Sequence, residues 1–168
     1  MKILNSVSGF LGIPTIESCS SKDFPEKVPK LFNLAKKEIM ISTDLHPDFY
    51  NSESVKSSLK DAIDRNVNVE ILIDQGHHDI SKIKWLKENL NEGKIKAFQS
   101  KDKIRHIIVV DGNHIREETT HDKDNYDKAN NEIIINAGSI AAFTRDTLKM
   151  MINESESYKN ENKNSENV

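Results

Sequence analysis

Histidines, which can act as nucleophile, acid or base, are concentrated in the middle of this sequence. Five of the six lie between His77 and His121. One of them, His106, stands inside the apolar run from Ile104 to Val110, which predicts a strand. Successive strand residues point to opposite faces, so His106 shares a face with Ile104. We therefore expect its imidazole at a defined position on one face of a sheet.

The residues after this strand predict a hairpin that brings acidic side chains back to His106. Asp111, Gly112 and Asn113 are the residue types that a tight hairpin turn requires. The returning strand then places Glu117 or Thr119 opposite His106, depending on a register that the sequence does not fix. A carboxylate beside a histidine orients and activates the imidazole.

Further polar residues follow the first two predicted strands. His77 and His78 come after the hydrophobic strand 67–73, and open α/β sheets bind ligands at such strand ends. The loop after strand 39–41 contains Asp44, His46 and Asp48. For both loops the sequence favours a solvated, capped connection over a binding site.

One basic run precedes His106. It consists of Lys94, Lys96, Lys101, Lys103 and Arg105. Alternating lysines protect edge strands, and they could equally guide a phosphate-bearing ligand toward His106. Because no aromatic residues are interleaved for base stacking, the run does not predict a nucleic-acid groove.

The elements that must position these residues alternate along the chain. Helix, strand, helix, strand, helix and strand are followed by a hairpin, a last strand and a final helix. The first helix begins with Asp23 as N-cap. This order predicts an α/β fold with a mixed, mostly parallel sheet flanked by helices and a β-hairpin on its C-terminal side.

The length and composition indicate one domain. The 168 residues carry a net charge of −3 and one cysteine, Cys19, so the chain has no global attraction to polyanions and no internal disulfide. We expect an irregular segment over residues 1–22, a domain over 23–152 and a disordered polar tail over 153–168. No apolar stretch is long enough to span a membrane, so we expect no membrane insertion and a cytoplasmic location.

The segments 34–42 and 61–74 resemble the opening helix, strand, helix and strand of one lobe of the phospholipase D superfamily. The resemblance extends over residues 23–152. Members of that family attack phosphorus with the histidine of an H-x-K-x4-D motif, which G-[ST]-x-N follows. A second histidine protonates the leaving group, while the lysine and asparagine neutralise phosphate oxygens. The resemblance therefore implies a half-domain whose two-fold dimer would assemble one site.

The motif itself is degenerate in this sequence. When Asp111 is aligned with the motif aspartate, Ile104 stands at the nucleophile position and His106 at the lysine position. Farther on, residues 118–121 fall on G-[ST]-x-N, with Thr119 kept and His121 replacing asparagine. The later N-x-E pattern of the family matches residues 130–132. The resemblance thus implies the following site: His106, Asp111 and Glu117 as catalytic candidates, and Arg116, Thr119, His121, Asn130 and Glu132 as ligand-binding candidates.

Three interpretations of the histidines follow. In the first, His106 is a satisfied polar residue in a degenerate pocket, and the protein is a ligand-sensing or assembly module. The second is a homodimeric phosphodiesterase or nuclease centred on His106. The third is a metal site built from His106, His114, His121 and an acidic neighbour, although no short metal-ligand spacing supports it. We expect no cofactor and a homodimer. The expected partner is a small phosphate-containing ligand or a phosphodiester, and the sequence does not decide whether the protein binds nucleic acid.

Overall fold

The computed structural model describes residues 13–118 and 130–158. The strands are β1 (Thr15–Ser20), β2 (Glu38–Thr43), β3 (Asn68–Ile73), β4 (Ile95–Gln99), β5 (Ile107–Val110), β6 (His114–Glu118), β7 (Asn130–Ile135) and β8 (Glu156–Ser157). The helices are α1 (Phe24–Lys27), α2 (Pro29–Leu34), α3 (Pro47–Asn51), α4 (Glu53–Asp64), α5 (Lys84–Asn91) and α6 (Ser139–Asn153). A 3-10 turn, Ile80–Lys82, precedes α5.

The described strands form one sheet in the order β1-β7-β6-β5-β2-β3-β4-β8. The predicted mixed sheet flanked by helices is confirmed, but its proportions differ from the prediction. Only β2–β3 and β3–β4 are parallel, and the other five pairings are antiparallel. A parallel connection needs a crossover of a dozen or more residues, whereas only residues 100–106 join β4 to β5. Strand β5 therefore enters beside β2 in the opposite direction.

The hairpin is formed as the sequence predicts. Asp111 and Gly112 adopt φ values of 53° and 61°, and the amide of Asn113 donates to the carbonyl of Val110 at 3.0 Å. The turn fixes the register, which pairs Val110 with His114 and Ile107 with Glu117. His106 therefore lies one position beyond the paired strand, where its carbonyl accepts from the amide of Glu118 at 3.2 Å.

The sheet is covered on both faces. The larger core lies under the helices α1 to α5 and includes Ile41, Ile71 and Ile108. On the other face, α6 packs Ala141 and Leu148 against the sheet. Two apolar side chains of the same helix, Ile140 and Phe143, are more than half exposed.

Both predicted chain boundaries need correction. Thr15–Ser20, within the segment expected to be irregular, pairs with β7 along its whole length, because its partner strand would otherwise be left as an open edge. At the other end, β8 pairs with β4, and the amide of Tyr158 donates to the carbonyl of Ala97 at 2.9 Å. The predicted polar tail therefore begins with residues that belong to the fold.

Candidate functional site

Charged side chains from several strands meet at one end of the sheet. Because β5 is antiparallel to β2, its first residues lie beside the carboxyl ends of β2 and β3. His106 therefore approaches Asp44 and Asp74, which directly follow those two strands. Strand β6 ends at the same place with Glu118, and β7 begins there with Asn131 in its second position.

His106 is held between two buried carboxylates. Its Nδ1 lies 3.1 Å from Oε2 of Glu118, and its Nε2 lies 3.5 Å from Oδ2 of Asp74. The side chain of His106 is 14% exposed, that of Glu118 is 3% exposed and that of Asp74 is 5% exposed. A carboxylate at each ring nitrogen favours the doubly protonated imidazolium.

The predicted partner of His106 is wrong by one residue. Glu117 was the candidate, but it pairs with Ile107 and Glu132 and points to the opposite face of the sheet. Successive residues of a strand alternate between faces, so the register selects Glu118. The sequence analysis included Glu118 in the segment aligned with G-[ST]-x-N but did not name it as a catalytic or ligand-binding candidate.

Arg116, predicted as a ligand-binding candidate, completes a buried ion-pair network beside His106. Its Nη2 lies 3.0 Å from Oε2 of Glu118, and its Nη1 donates to the carbonyl of His106 at 3.2 Å. Its Nε donates to Oδ1 of Asn131 at 2.8 Å, and Nη2 donates to the same oxygen. The guanidinium also lies 4.1 Å from the ring centroid of Phe24, a cation–π contact. Arg116 is thus fully engaged within the protein.

The surroundings of His106 act in opposite directions on its pKa. Burial alone lowers the pKa, because it disfavours the charged imidazolium. The hydrogen bond with Glu118 and the negative charges of Asp44 and Glu118 outweigh burial and the opposing charge of Arg116, so the pKa of His106 is raised. The imidazolium form therefore persists to higher pH than in an exposed histidine.

The loops after β2 and β3 form a second polar layer above this network. The backbone amide of His46 donates to Oδ1 of Asp44 at 3.2 Å, and Nε2 of His78 lies 3.8 Å from Oδ2. The rings of His46 and His78 meet edge to face with centroids 5.0 Å apart. Leu45, between Asp44 and His46 in the chain, is buried and adopts φ 59°, an unusual value for a side chain of its size. The sequence favoured a solvated, capped connection here, but Asp44 is buried beside the network and His46, the residue before α3, makes no side-chain cap.

The cavity at this end of the sheet is very small. It has a volume of about 20 Å³, and its polar lining is supplied mainly by Asp44, His46, His106, Arg116 and Glu118. Such a volume accommodates about one water molecule. The carboxylates of the described lining, Asp44 and Glu118, face Arg116 and His106, so these charges compensate one another and no lysine is left to bind a phosphate.

Asp111 lies at the other end of β5 and contradicts its assignment as a catalytic residue. Its two carboxylate oxygens accept hydrogen bonds from the backbone amides of Lys36, Lys37 and Glu38, each at 2.9 Å. Burial works to raise the pKa of Asp111, but the three amides hold it below its ordinary value. Asp111 therefore fixes the hairpin turn to the start of β2.

Of the four further candidates, two lie away from His106 and two cannot be compared with it. Glu132 and Asn130 are exposed and alternate with Asn131, so the neighbouring Asn131, and not Asn130, enters the network. Thr119 and His121 lie outside the described residues.

Two histidines of the proposed metal site, His106 and His114, lie at opposite ends of the hairpin. His114 pairs with Val110, so the length of the hairpin separates it from His106. Burial lowers the pKa of His114, whose Nδ1 accepts from the amide of Asn136 at 3.1 Å. Across residues 13–118 and 130–158, no three histidine, cysteine or acidic side chains are grouped so that they could hold a metal ion.

Solved structures share this fold, although no protein-family model and no curated protein sequence matches the chain. TrmBL2, an archaeal chromatin protein, superposes with a TM-score of 0.68 at 15% identity over 85% of this chain and 54% of its own. Nuc, a phospholipase D family member from Salmonella typhimurium, superposes with a TM-score of 0.66 and 18% identity, covering 87% of this chain and 99% of Nuc. NucT from Helicobacter pylori superposes with a TM-score of 0.61 and 11% identity, covering 86% of this chain and 99% of NucT.

These similarities establish the fold predicted from the sequence. The chain has the phospholipase D-type architecture, and it corresponds to about half of TrmBL2 and to nearly all of Nuc. None of the helices in the described ranges combines the length and the apolar character that crossing a bilayer demands.

Proposed function

We propose that this chain is a catalytically degenerate phospholipase D-like domain that acts as a ligand-sensing or assembly module. The observation that carries the proposal is the placement of His106 between Glu118 at 3.1 Å and Asp74 at 3.5 Å. A nucleophilic histidine must direct the lone pair of one ring nitrogen at phosphorus. The two ring nitrogens of His106 face Glu118 and Asp74, so neither is directed at a substrate.

The charges around His106 support the same conclusion. Transfer of a phosphoryl group requires cations or amide donors where negative charge develops. Here Arg116, the guanidinium of the pocket, is bound to Glu118 and Asn131, while Asp44 adds negative charge to the lining. At the positions that match the family's histidine and lysine, the sequence has Ile104 and His106. The network therefore resembles a structural ion-pair cluster more than a phosphate site.

The size of the cavity bears on the choice between sensing and assembly. A volume of about 20 Å³ is far below the several hundred cubic ångströms of ordinary ligand sites. A phosphate-sized ligand would enter only if α3 moved, since Phe49 and Tyr50 line the cavity. TrmBL2, which shares this fold, is described as a chromatin protein with a novel mode of DNA binding. Both points favour an assembly role over recognition of a small ligand in this pocket.

Hydrolysis assays test the proposal. We expect the wild-type protein to leave bis-p-nitrophenyl phosphate and single-stranded DNA unchanged, with or without divalent metal ions, because His106 is not available as a nucleophile. His106→Ala should match the wild type in this assay. Turnover that disappears in His106→Ala and survives in the control His114→Ala would overturn the proposal. A phosphate analogue that raises the melting temperature without turnover would support sensing over assembly.

The second candidate is a homodimeric phosphodiesterase or nuclease centred on His106. The observation that favours it is the buried His106–Glu118 pair, with the raised pKa of an imidazole that could protonate a leaving group. It requires a two-fold dimer, which we also propose for the assembly module. Light scattering should give twice the mass of the chain, and a monomer at all concentrations would exclude the second candidate.

A further inference from the structure

A groove lined by lysines runs over the outer surface of the helical layer. It has a volume of about 440 Å³ and lies between α4 and the 3-10 turn with the start of α5. Lys56 and Lys60 come from α4, whereas Lys82 and Lys84 come from the turn and α5. Asn51, which also lines the groove, donates from Nδ2 to the carbonyl of Lys82 at 3.0 Å. Four ammonium groups thus border one open channel.

Most of these charges are not neutralised within the described parts of the chain. Among residues 13–118 and 130–158, no ion pair involves Lys60, Lys82 or Lys84, while Lys56 lies 3.7 Å from Glu53. Glu88 is the acidic residue of the groove lining. A protein with a net charge of −3 therefore carries a locally positive channel.

The basic run noticed in the sequence differs from this groove. Three of its lysines are paired with carboxylates: Lys94 with Glu92 at 2.7 Å, Lys96 with Glu70 at 3.4 Å, and Lys101 with Glu156 at 3.8 Å. Their charges are largely compensated at the edge of the sheet. The groove, and not the run, is consequently the stronger candidate for an anionic ligand.

Two contacts of the groove lysines with their own helices are unfavourable, although Lys84 also lies four residues from Glu88 on its helix. Lys56 and Lys60 are four residues apart on α4, so like charges face each other on one side of the helix. Lys84 is the first residue of α5, whose first turn contains no acidic residue, and a cation there opposes the helix dipole. A bound anion would relieve both repulsions.

We propose that this groove binds the phosphate backbone of single-stranded nucleic acid without discriminating sequence. Lysines from two elements along a channel suit a chain of phosphates better than a single phosphate group. The aromatic residue of the lining, Trp85, is buried and donates from Nε1 to the carbonyl of Tyr50 at 3.0 Å, so it offers no platform for base stacking. The proposed contacts are therefore to phosphates alone, a weak and salt-sensitive mode of binding that differs from the stacking groove sought in the sequence.

The groove is separate from the His106 cavity, so this inference is independent of any activity there. Helix α3 divides the two: Phe49 and Tyr50 line the cavity, and Asn51 lines the groove. If the groove does not bind nucleic acid, the proposed loss of catalysis at His106 still stands. If the protein does hydrolyse phosphodiesters, the proposed binding in the groove still stands.

The test is the salt dependence of binding to a fluorescently labelled oligothymidylate, followed by anisotropy. Each neutralised phosphate of a single strand contributes about −0.7 to the slope of log K against log salt, so four lysines predict about −3. Lys60→Gln, Lys82→Gln and Lys84→Gln combined should reduce the slope to about −1 and weaken binding roughly a hundredfold near 0.1 M salt. These side chains are exposed and their charges are mildly repulsive in the free protein, so the melting temperature should stay the same or rise slightly.

A triple variant with the same change of charge serves as the control: Lys94→Gln, Lys96→Gln and Lys101→Gln. We expect it to bind the oligonucleotide within about twofold of the wild type, and Glu88→Gln to bind more tightly. Equal losses in both triple variants would overturn the proposal, as would binding to phosphatidylserine vesicles without binding to the oligonucleotide. Wild-type protein that binds no oligonucleotide at low salt would overturn it as well.

Discussion

Replacement of Arg116 by methionine should lower the free energy of unfolding by about 3–5 kcal/mol, because it leaves Glu118 as a buried charge with reduced compensation. Arg116 is 4% exposed and joins Glu118, Asn131 and the carbonyl of His106 in one network. Urea denaturation measures the change. Adding Glu118→Gln to Arg116→Met should recover part of the loss, since the double variant no longer buries the unmatched carboxylate.

Arg105→Met is the matched control for this prediction. Arg105 is exposed and lies one residue before His106, so the same change of side chain should alter stability by about 0.5 kcal/mol or less. If Arg116→Met also stayed within about 1 kcal/mol of the wild type, the network would not contribute to the fold as described.

Asp111→Ala should destabilise the protein by about 2–3 kcal/mol without changing the pKa of His106. The substitution removes the acceptor for three backbone amides and places alanine at φ 53°, in the left-handed region. Asp111→Asn, which tolerates that conformation and keeps one acceptor oxygen, should cost about half as much. Thermal or urea unfolding measures both variants.

The effect of pH on Asp111 has a defined sign. Its pKa is lowered in the folded protein, so its stabilisation is present above the pKa of the unfolded chain and is lost as pH falls through the folded value. The difference in stability between wild type and Asp111→Asn should therefore shrink in acid. A difference that grows as pH falls would contradict the assigned hydrogen bonds.

The parts of the fold that the sequence predicted correctly depend on local signals. Strand β5 has an apolar run, and residues 111–113 have the turn chemistry of a hairpin, so both could be identified without knowledge of the rest of the chain. Directions of strands depend on which strands become neighbours. The antiparallel position of β5 beside β2 is a long-range property, and the alternation of helices and strands suggested more parallel pairing than exists.

The candidate site was predicted only in part, because its composition also depends on how strands pair over long distances in the sequence. His106 and Arg116 were identified, but a one-residue difference in register exchanges Glu117 for Glu118 and Asn130 for Asn131. Asp44 and Asp74 each follow a buried strand directly, a signal that was available in the sequence. Asp111 was misassigned because the motif aligns a residue type, whereas its role depends on the amides that surround it.

The account depends most directly on the claim that His106 is held as an imidazolium between Glu118 and Asp74. Titration of His106 by nuclear magnetic resonance tests this claim. We expect a pKa above that of an ordinary histidine, so that the stabilisation is complete below the unfolded pKa and is lost as pH rises through the folded one. In Glu118→Gln the pKa should fall, since burial then dominates. An ordinary or lowered pKa in the wild type, unchanged by Glu118→Gln, would contradict the account and leave His106 free to act as a nucleophile.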